Sequence, residues 1–322
     1  MNKRFLGKIE VSDIGMGCMA FSHGYGQIPS EQYSIEAIRD AYNFGCTFFD
    51  TAEVYSPNLE GIGHNELIVG KALKDVRDKV VIATKLFLKS SEVVNGDVYS
   101  AIKKHLLGSM KRLQVKMVDL YYLHRISDVP TEEIAKAMGK LINEGLIRGW
   151  GLSQVDVDVI SKAHKITPVS AVQNLYSIVE RDCEEKVIPY CIENNIGFVP
   201  FSPIASGLLS GKITTSTEFE KYDDVRNWVP QLTKENISGN KPIVDLIQKL
   251  AKQKGATPAQ ISLAWMLKKY PTNLVPIPGS KNKGRILENL GASKVQLTDS
   301  ELKEFENELN KLKVYGHRGL TH

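Results

Sequence analysis

Cysteine is scarce: Cys18, Cys46, Cys183 and Cys191 are the four in 322 residues, and no two stand in a CxxC or other metal-ligand spacing. A disulfide scaffold is not expected at this length, and a reducing compartment is. Long apolar runs are missing too. None approaches the roughly 20 residues needed to span a bilayer. The N-terminus, Met1 to Gly7, turns polar at once and lacks the apolar core of a signal peptide, so the expected location is cytoplasmic with no membrane partner. Neither sign of charge dominates, with 41 basic against 37 acidic residues and no basic run, so no nucleic-acid partner is expected. His23, His64, His105, His164, His317 and His322 form no metal-binding pair, so no metal is expected. No GxGxxG follows the first apolar run, where Gly15-Met16-Gly17 continues into Cys18-Met19; that excludes a Rossmann phosphate turn. No Pro/Gly-rich linker divides the chain, so residues 1–322 read as a single domain.

What is present is alternation. Short β-branched or apolar runs near 14–19, 46–50, 79–84, 117–123, 146–152, 169–173, 196–201 and 273–277 are separated by helical patterns. Eight such units place the chain in the α/β class and predict a (β/α)8 TIM barrel. Phe5 to Val11, with Gly7-Lys8 at its turn, predicts a β-hairpin closing the bottom of the barrel. Over 97–113, Val98, Ile102, Leu106, Met110 and Leu113 share one helical face. Thr131 before two glutamates and Thr257 before Pro258 mark helix starts. Thr298-Asp299-Ser300-Glu301 is a capping box opening an extra C-terminal helix to about Lys311. Residues 214–241 break the rhythm as a long polar loop after the seventh run, on the face where loops shape access.

Three consecutive runs end in ionisable residues: Asp50, Lys85 and His124, with Tyr55 just beyond the first. Any one alone reads equally well as a cap or surface charge. Together, at the C-terminal ends of adjacent barrel strands, they point to chemistry. Phe49-Asp50-Thr51-Ala52-Glu53-Val54-Tyr55, Thr84-Lys85, Leu123-His124, Gly151-Leu152-Ser153-Gln154, Gln173-Asn174, Phe201-Ser202-Pro203 and Ile277-Pro278-Gly279-Ser280-Lys281 follow in order along the chain.

This series resembles the signature of the aldo-keto reductases over essentially the whole chain. The resemblance implies an NADP-dependent oxidoreductase that reduces an aldehyde or ketone to an alcohol by hydride transfer. Tyr55 would donate the proton, Lys85 would lower its pKa, Asp50 would hold Lys85, and His124 would orient the carbonyl and stabilise developing charge. NADP(H) would lie across the barrel top. Ser153, Gln154 and Gln173 would hold the nicotinamide, whose ring would stack on Phe201 near Gly17, Met19 and Asp50. Gln154 stands where the family more often carries asparagine or an acid. Ser202, Pro203, Ile204, Gly207, Leu209, Gly211 and Lys212 would wrap the pyrophosphate. Ile277, Gly279, Ser280, Lys281, Arg285, Glu288 and Asn289 would receive the adenosine and its 2′-phosphate. The absence of an acid between Pro278 and Arg285 favours NADPH over NADH.

The same resemblance puts a small-molecule carbonyl substrate among Phe21, Tyr25, Tyr55, Phe87, His124, Arg125 and Trp228. Arg125 would either favour anionic substrates or pair with a rim acid such as Asp128. The loop 56–64 is longer than the family's usual turn there. Two other readings stay open: an NADP(H)-binding regulatory or redox-sensing subunit with slow turnover, and a Schiff-base aldolase using Lys85. The absence of a long N-terminal extension favours a free enzyme, as monomer or homo-oligomer.

Overall fold

A computed structural model describes residues 1–57 and 61–319. Two strands, β1 (Lys3–Leu6) and β2 (Ile9–Ser12), form an antiparallel hairpin turned by Gly7, whose φ of 60° suits a residue without a Cβ. Seven parallel strands then pair in chain order: β3 (Met16–Gly17), β4 (Phe48–Asp50), β5 (Val81–Leu86), β6 (Val118–Leu123), β7 (Ile147–Ser153), β8 (Ala171–Leu175) and β9 (Gly197–Phe201).

The eighth unit, expected at 273–277, is not a regular strand, yet its backbone closes the ring. Val275 N donates to Phe198 O at 2.9 Å and Ile277 N to Pro200 O at 3.0 Å, against β9. On the other side, Gly15 N donates to Pro276 O at 2.9 Å and Gly17 N to Pro278 O at 3.4 Å. Pro276 and Pro278 stand where an N–H would face β3, and they have none to give, so that ladder is thinned. The architecture is a (β/α)8 barrel with an irregular last strand.

Around the barrel run α1 (Glu31–Phe44), α2 (His64–Leu73), α3 (Val98–Leu113), α4 (Thr131–Asn143), α5 (Val157–Ile166), α6 (Val187–Glu193), α7 (Lys234–Gly239), α8 (Lys241–Lys254), α9 (Pro258–Lys269) and α10 (Lys283–Gly291). The extra helix α11 (Asp299–Leu309) packs on α8 and α9. Thr257 and Thr298 cap α9 and α11 through reciprocal boxes with Gln260 and Glu301. Thr131 is the first helical residue of α4 rather than its cap: the capping position is Pro130, which has no side-chain acceptor. The segment 214–241 is not structureless; it holds two 3-10 turns (Val225–Trp228 and Pro230–Leu232) and α7.

Side chains alternate between two cores. Phe48, Val81, Ala83, Leu120, Tyr122, Ala171, Val199 and Val275 fill the barrel, while Phe49, Ile82, Tyr121, Val172 and Phe198 face the helices. The hairpin plugs the N-terminal mouth with Leu6, Ile9 and Val11. Arg4 locks it there, donating to the carbonyls of Leu267 and Tyr270 at 2.7 Å each, and to that of Leu274. At Gly197 a Cβ would lie 2.4 Å from Leu6 Cδ2 and 2.7 Å from Leu6 Cα. Since the second contact is backbone, Gly197→Ala should push the plug outwards and destabilise the fold by about 1–3 kcal/mol. A urea midpoint equal to that of the parent would show that the plug is not set by this contact.

Candidate active site

The inward face that carries Phe48, then Val81 and Ala83, then Leu120 and Tyr122 continues two residues further to Asp50, Lys85 and His124. Strand periodicity alone therefore brings these groups together at the C-terminal mouth. Lys85 is completely buried and Asp50 nearly so, and the ammonium donates to the Asp50 carboxylate. Lys85 Nζ also donates to Thr51 O at 2.7 Å and to Tyr55 Oη at 3.3 Å. Gln173 Nε2, from β8, donates to the second Asp50 oxygen at 2.8 Å. The rings of Tyr55 and His124 meet edge to face at 5.6 Å, and Phe87 flanks His124 at 6.3 Å.

These surroundings set the protonation states. Burial pulls the Lys85 ammonium down, but Asp50 and Tyr55 beside it outweigh that and hold its pKa above the ordinary lysine value. Burial pushes the Tyr55 phenol up, and although Lys85 pulls it down, burial prevails. The net direction is thus opposite to the lowering expected from Lys85 alone, and the phenol is kept protonated. His124 falls well below the usual histidine value, through burial first and then the charges of Lys85 and Arg125, so its imidazole is neutral. Its Nδ1 is buried without a hydrogen-bond partner among the described residues.

Behind Tyr55 stands a support that the sequence reading missed. Asn65 is fully buried, donates to Cys18 O (2.9 Å) and Ser22 Oγ (2.7 Å), and accepts from Thr51 Oγ1 (2.6 Å); its own N–H donates to Tyr55 O at 3.1 Å. Glu53, also buried, accepts from Phe87 N at 2.8 Å and meets His105 Nδ1 at 2.9 Å, whose Nε2 reaches Glu92 at 3.2 Å. Only the position of Asn65 one residue into a helix, and of Glu53 inside the Asp50–Tyr55 run, hinted at either. Of the expected longer loop 56–64, residues 58–60 lie outside the described residues.

Above this floor opens a cleft of about 640 Å³. It is lined by Gly17, Met19, Asp50, Ser153, Gln173 and Phe201, and by Ser202, Pro203, Ile204, Gly207 and Lys212 after β9. Ile277, Gly279, Ser280, Lys281, Arg285, Glu288 and Asn289 line it from the closing segment and α10. Three residues expected in the cofactor set stand elsewhere. Gln154 spends its side-chain oxygen on Leu175 N at 2.8 Å, Leu209 is buried in the outer core, and Gly211 forms a left-handed turn behind Ser210. After β9, Ser202, Ala205, Ser206 and Gly207 all have positive φ (50°, 47°, 54° and 100°). Three of these are not glycine, so the backbone is held in an unfavourable region. Ser206 is among the cleft-lining residues, and its Oγ is buried with no hydrogen-bond partner among the described residues. A strained loop with an orphan donor beside the cleft fits an anionic group. Next to the closing segment, Asn282 caps α10 through Arg285 N at 3.0 Å. Lys281 Nζ donates to Tyr25 O (2.7 Å) and Gln27 O (2.6 Å) and pairs with Glu220 at 3.3 Å, tying two rim loops.

Of the residues expected around the substrate, Tyr25, Tyr55, Phe87, His124 and Arg125 line the cleft. Phe21 does not: it is fully buried in the outer core. Trp228 does not either, being 84% exposed on the rim; from its loop Thr217, Val225 and Arg226 face the cleft instead. Asp128 is taken by Ser90 N at 2.8 Å and does not pair with Arg125. Among the described residues, no group of three or more His, Cys, Asp or Glu is arranged to hold a metal ion, and no helix is long and apolar enough to cross a membrane.

Comparison with known proteins adds a second line of argument. The model of the aldo/keto reductase family matches residues 13–309. A soybean (Glycine max) protein named probable aldo-keto reductase 1 is 39% identical over 305 residues, which span 92% of this chain and 84% of that one. Among solved structures, a glycerol dehydrogenase of Gluconobacter oxydans superposes with a TM-score of 0.83 at 27% identity, covering 99% of this chain and 97% of its own. An aldo/keto reductase of Klebsiella pneumoniae, solved in complex with NADP and acetate, gives 0.74 at 26% identity, covering 99% of both chains.

The buried Glu53–His105 contact carries a pH signature. The Glu53 hydrogen bond, against opposing burial, raises the His105 pKa. A raised folded value means that the native state holds the proton more tightly. The stability it confers is therefore complete below the ordinary histidine value of about 6.5 and is lost as pH rises through the folded value. His105→Gln should narrow the stability gap between pH 6 and pH 9 measured by urea unfolding; an unchanged gap would mean that the imidazolium is not stabilised there.

Proposed function

From the premise that this chain belongs to the aldo/keto reductase family, we propose that it reduces an aldehyde or ketone to the alcohol with NADPH, and that Tyr55 is the proton donor. The class of activity, an NADP-dependent oxidoreductase, comes with the family. The observation that carries the finer reading is a buried ammonium 3.3 Å from a phenol, on the floor of a cleft long enough to run from Tyr55 to Arg285.

Bound NADPH supplies the hydride for the carbonyl carbon. The proton passes from Tyr55 Oη to the carbonyl oxygen as charge develops there. Burial keeps the phenol protonated until substrate arrives, and Lys85, donating to Oη, stabilises the phenolate left behind. Asp50 and Thr51 O hold Lys85 as an ammonium in position. The neutral His124 ring, edge to face with Tyr55, would add a polar contact to the carbonyl without placing a second charge beside Lys85. Ser153 and Gln173, at the ends of adjacent strands, are placed to fix the nicotinamide. Gln173 is already oriented by Asp50, so cofactor position and Lys85 position are coupled. The strained loop 202–207 would hold the pyrophosphate through backbone N–H groups, with Ser206 beside it.

The aldolase reading is disfavoured by the same floor. A Schiff base needs a neutral amine, and Asp50 raises the Lys85 pKa instead of lowering it.

Tyr55→Phe should bind NADPH as the parent does while carbonyl turnover falls by about 10²–10⁴-fold, the usual share of a general acid. Near-parental turnover would remove Tyr55 from the reaction. A second outcome concerns the adenosine end. Arg285 has no carboxylate partner among the described residues and stands in the first turn of α10, where an anion is favoured. Lys281→Ala with Arg285→Ala should weaken NADPH by roughly 10–100-fold, measured by quenching of tryptophan fluorescence. NADH should change by no more than about 3-fold, the exposed-pair scale. Equal weakening of both nucleotides would show that the 2′-phosphate is read elsewhere.

A further inference from the structure

Cationic side chains crowd the cleft, and they differ in one respect. Lys212 is paired with Glu288 at 3.4 Å, Arg226 with Asp224, and Lys281 with Glu220 at 3.3 Å. Arg285 lies at the end assigned above to the 2′-phosphate. That leaves Arg125 and Arg318, which line the cleft, are both half-buried, and have no carboxylate partner among the described residues.

Arg125 follows His124 directly. One nitrogen, Nη1, donates to His124 O at 2.7 Å and to Ser153 Oγ at 3.4 Å; Nε and Nη2 are engaged with nothing among the described residues. The nearby acid that would neutralise it, Asp128, is spent on Ser90. Burial lowers the Arg125 pKa, with Tyr55 acting in the other direction, so its charge sits in a poorly solvated place close to the reacting groups.

Arg318 comes from the far end of the chain, and the segment that carries it is fastened. Tyr315 exchanges two hydrogen bonds with Asn240 (2.8 and 3.0 Å), Gln231 N donates to His317 O at 3.1 Å, and Arg318 N donates to Glu180 at 2.5 Å. The guanidinium is thereby delivered to Ser202, to which Nε donates at 3.4 Å; Nη1 and Nη2 remain unengaged among the described residues. Ser153 closes β7 and Ser202 follows β9, with β8 between them, and both guanidinium groups line the same cleft.

A half-buried guanidinium with spare N–H pairs is matched best by a planar or tetrahedral oxyanion, which accepts two parallel hydrogen bonds. A neutral substrate would shield both cations from water and return nothing. Resting on the reductase reading above, we propose that the carbonyl substrate bears an anionic group, carboxylate or phosphate, held by Arg125 from the catalytic side and by Arg318 from the C-terminal tail. Both are specificity residues: neither exchanges a proton or hydride.

The test uses the NADPH-loaded protein and two matched pairs, 4-carboxybenzaldehyde against methyl 4-formylbenzoate, and glyceraldehyde 3-phosphate against glyceraldehyde. The parent should prefer the anionic member of at least one pair by about 10-fold or more in kcat/KM, on the scale of a charge-assisted hydrogen bond. A preference in the first pair alone identifies a carboxylate, in the second alone a phosphate; either supports the proposal. Arg125→Met and Arg318→Met should each cut that preference by about 10–100-fold, mainly through KM, and Arg125→Lys should restore part of it. A parent with no anionic preference, or variants that leave it within about 2-fold, would overturn the proposal, even for a fully active reductase that turns over the neutral members. Loss of NADPH affinity in Arg318→Met with substrate preference intact would reassign that arginine to the cofactor and overturn its role here. Failure to oxidise NADPH with any of the four compounds would instead bring down the reductase reading and this inference with it.

Discussion

A lysine with no exposed surface needs a counter-charge, and the upper half of this barrel is arranged around that requirement. Lys85 has three partners, the Asp50 carboxylate, Thr51 O and Tyr55 Oη, all from one strand end and the loop after it. Removing one member of such a buried pair leaves the other uncompensated, at a cost of roughly 3–5 kcal/mol. The ion pair beside the phenol therefore fixes the path of the chain from β4 into the Tyr55 loop. Gln173 extends the constraint by binding the second Asp50 oxygen, which ties the opposite wall of the cleft to the floor.

That loop is secured from outside as well. Asn65 clamps four backbone or hydroxyl groups around Tyr55, and Glu53 ties the segment to Phe87 and to His105 on α3. The Tyr55 segment is consequently held by polar contacts from both sides. Placement of this kind suits a cleft that must be emptied of water and refilled, because each contact belongs to the protein and persists when the cleft's contents change.

The period of two made the floor readable from the chain alone. Asp50, Lys85 and His124 stand two residues beyond Phe48, Ala83 and Tyr122, so a strand whose interior face is known also discloses which terminal residue faces the cleft. Gln173 follows the same rule from Ala171, and Phe201 from Val199. The rule fails where the backbone leaves the strand. Leu209 and Gly211 lie in a loop of left-handed residues that carries no periodicity, and Leu209 turns into the core. Phe21 and Trp228 illustrate the two ways an aromatic residue in an irregular segment misleads: one packs inwards completely, the other stays in solvent. The last strand was legible as apolar sequence, but its two prolines changed what that sequence could do: Pro276 and Pro278 accept from Gly15 and Gly17 and have no N–H to return. The direction of the Tyr55 shift was the least accessible of all. It is the balance of a charge that the sequence discloses and a desolvation that only the folded cleft reveals.

Arg318 shows the same limit from the opposite direction. Nothing in the local sequence marks it, because its position depends on Glu180, Asn240 and Gln231, contributed by segments far away along the chain. Their joint effect is to bring a charge from a chain end to within reach of the cleft, where Arg125 already stands. Barrel strands supply fixed positions at the level of their ends, where Asp50, Lys85 and His124 form the floor, and loops and tails add groups such as Arg318 to the walls above. In this chain the division is visible in charge. The floor is internally neutralised, Lys85 against Asp50, whereas the walls carry three arginines, Arg125, Arg285 and Arg318, with no carboxylate partner among the described residues. On the proposed reading, a floor that is electrically satisfied leaves discrimination between substrates to the positive charge above it.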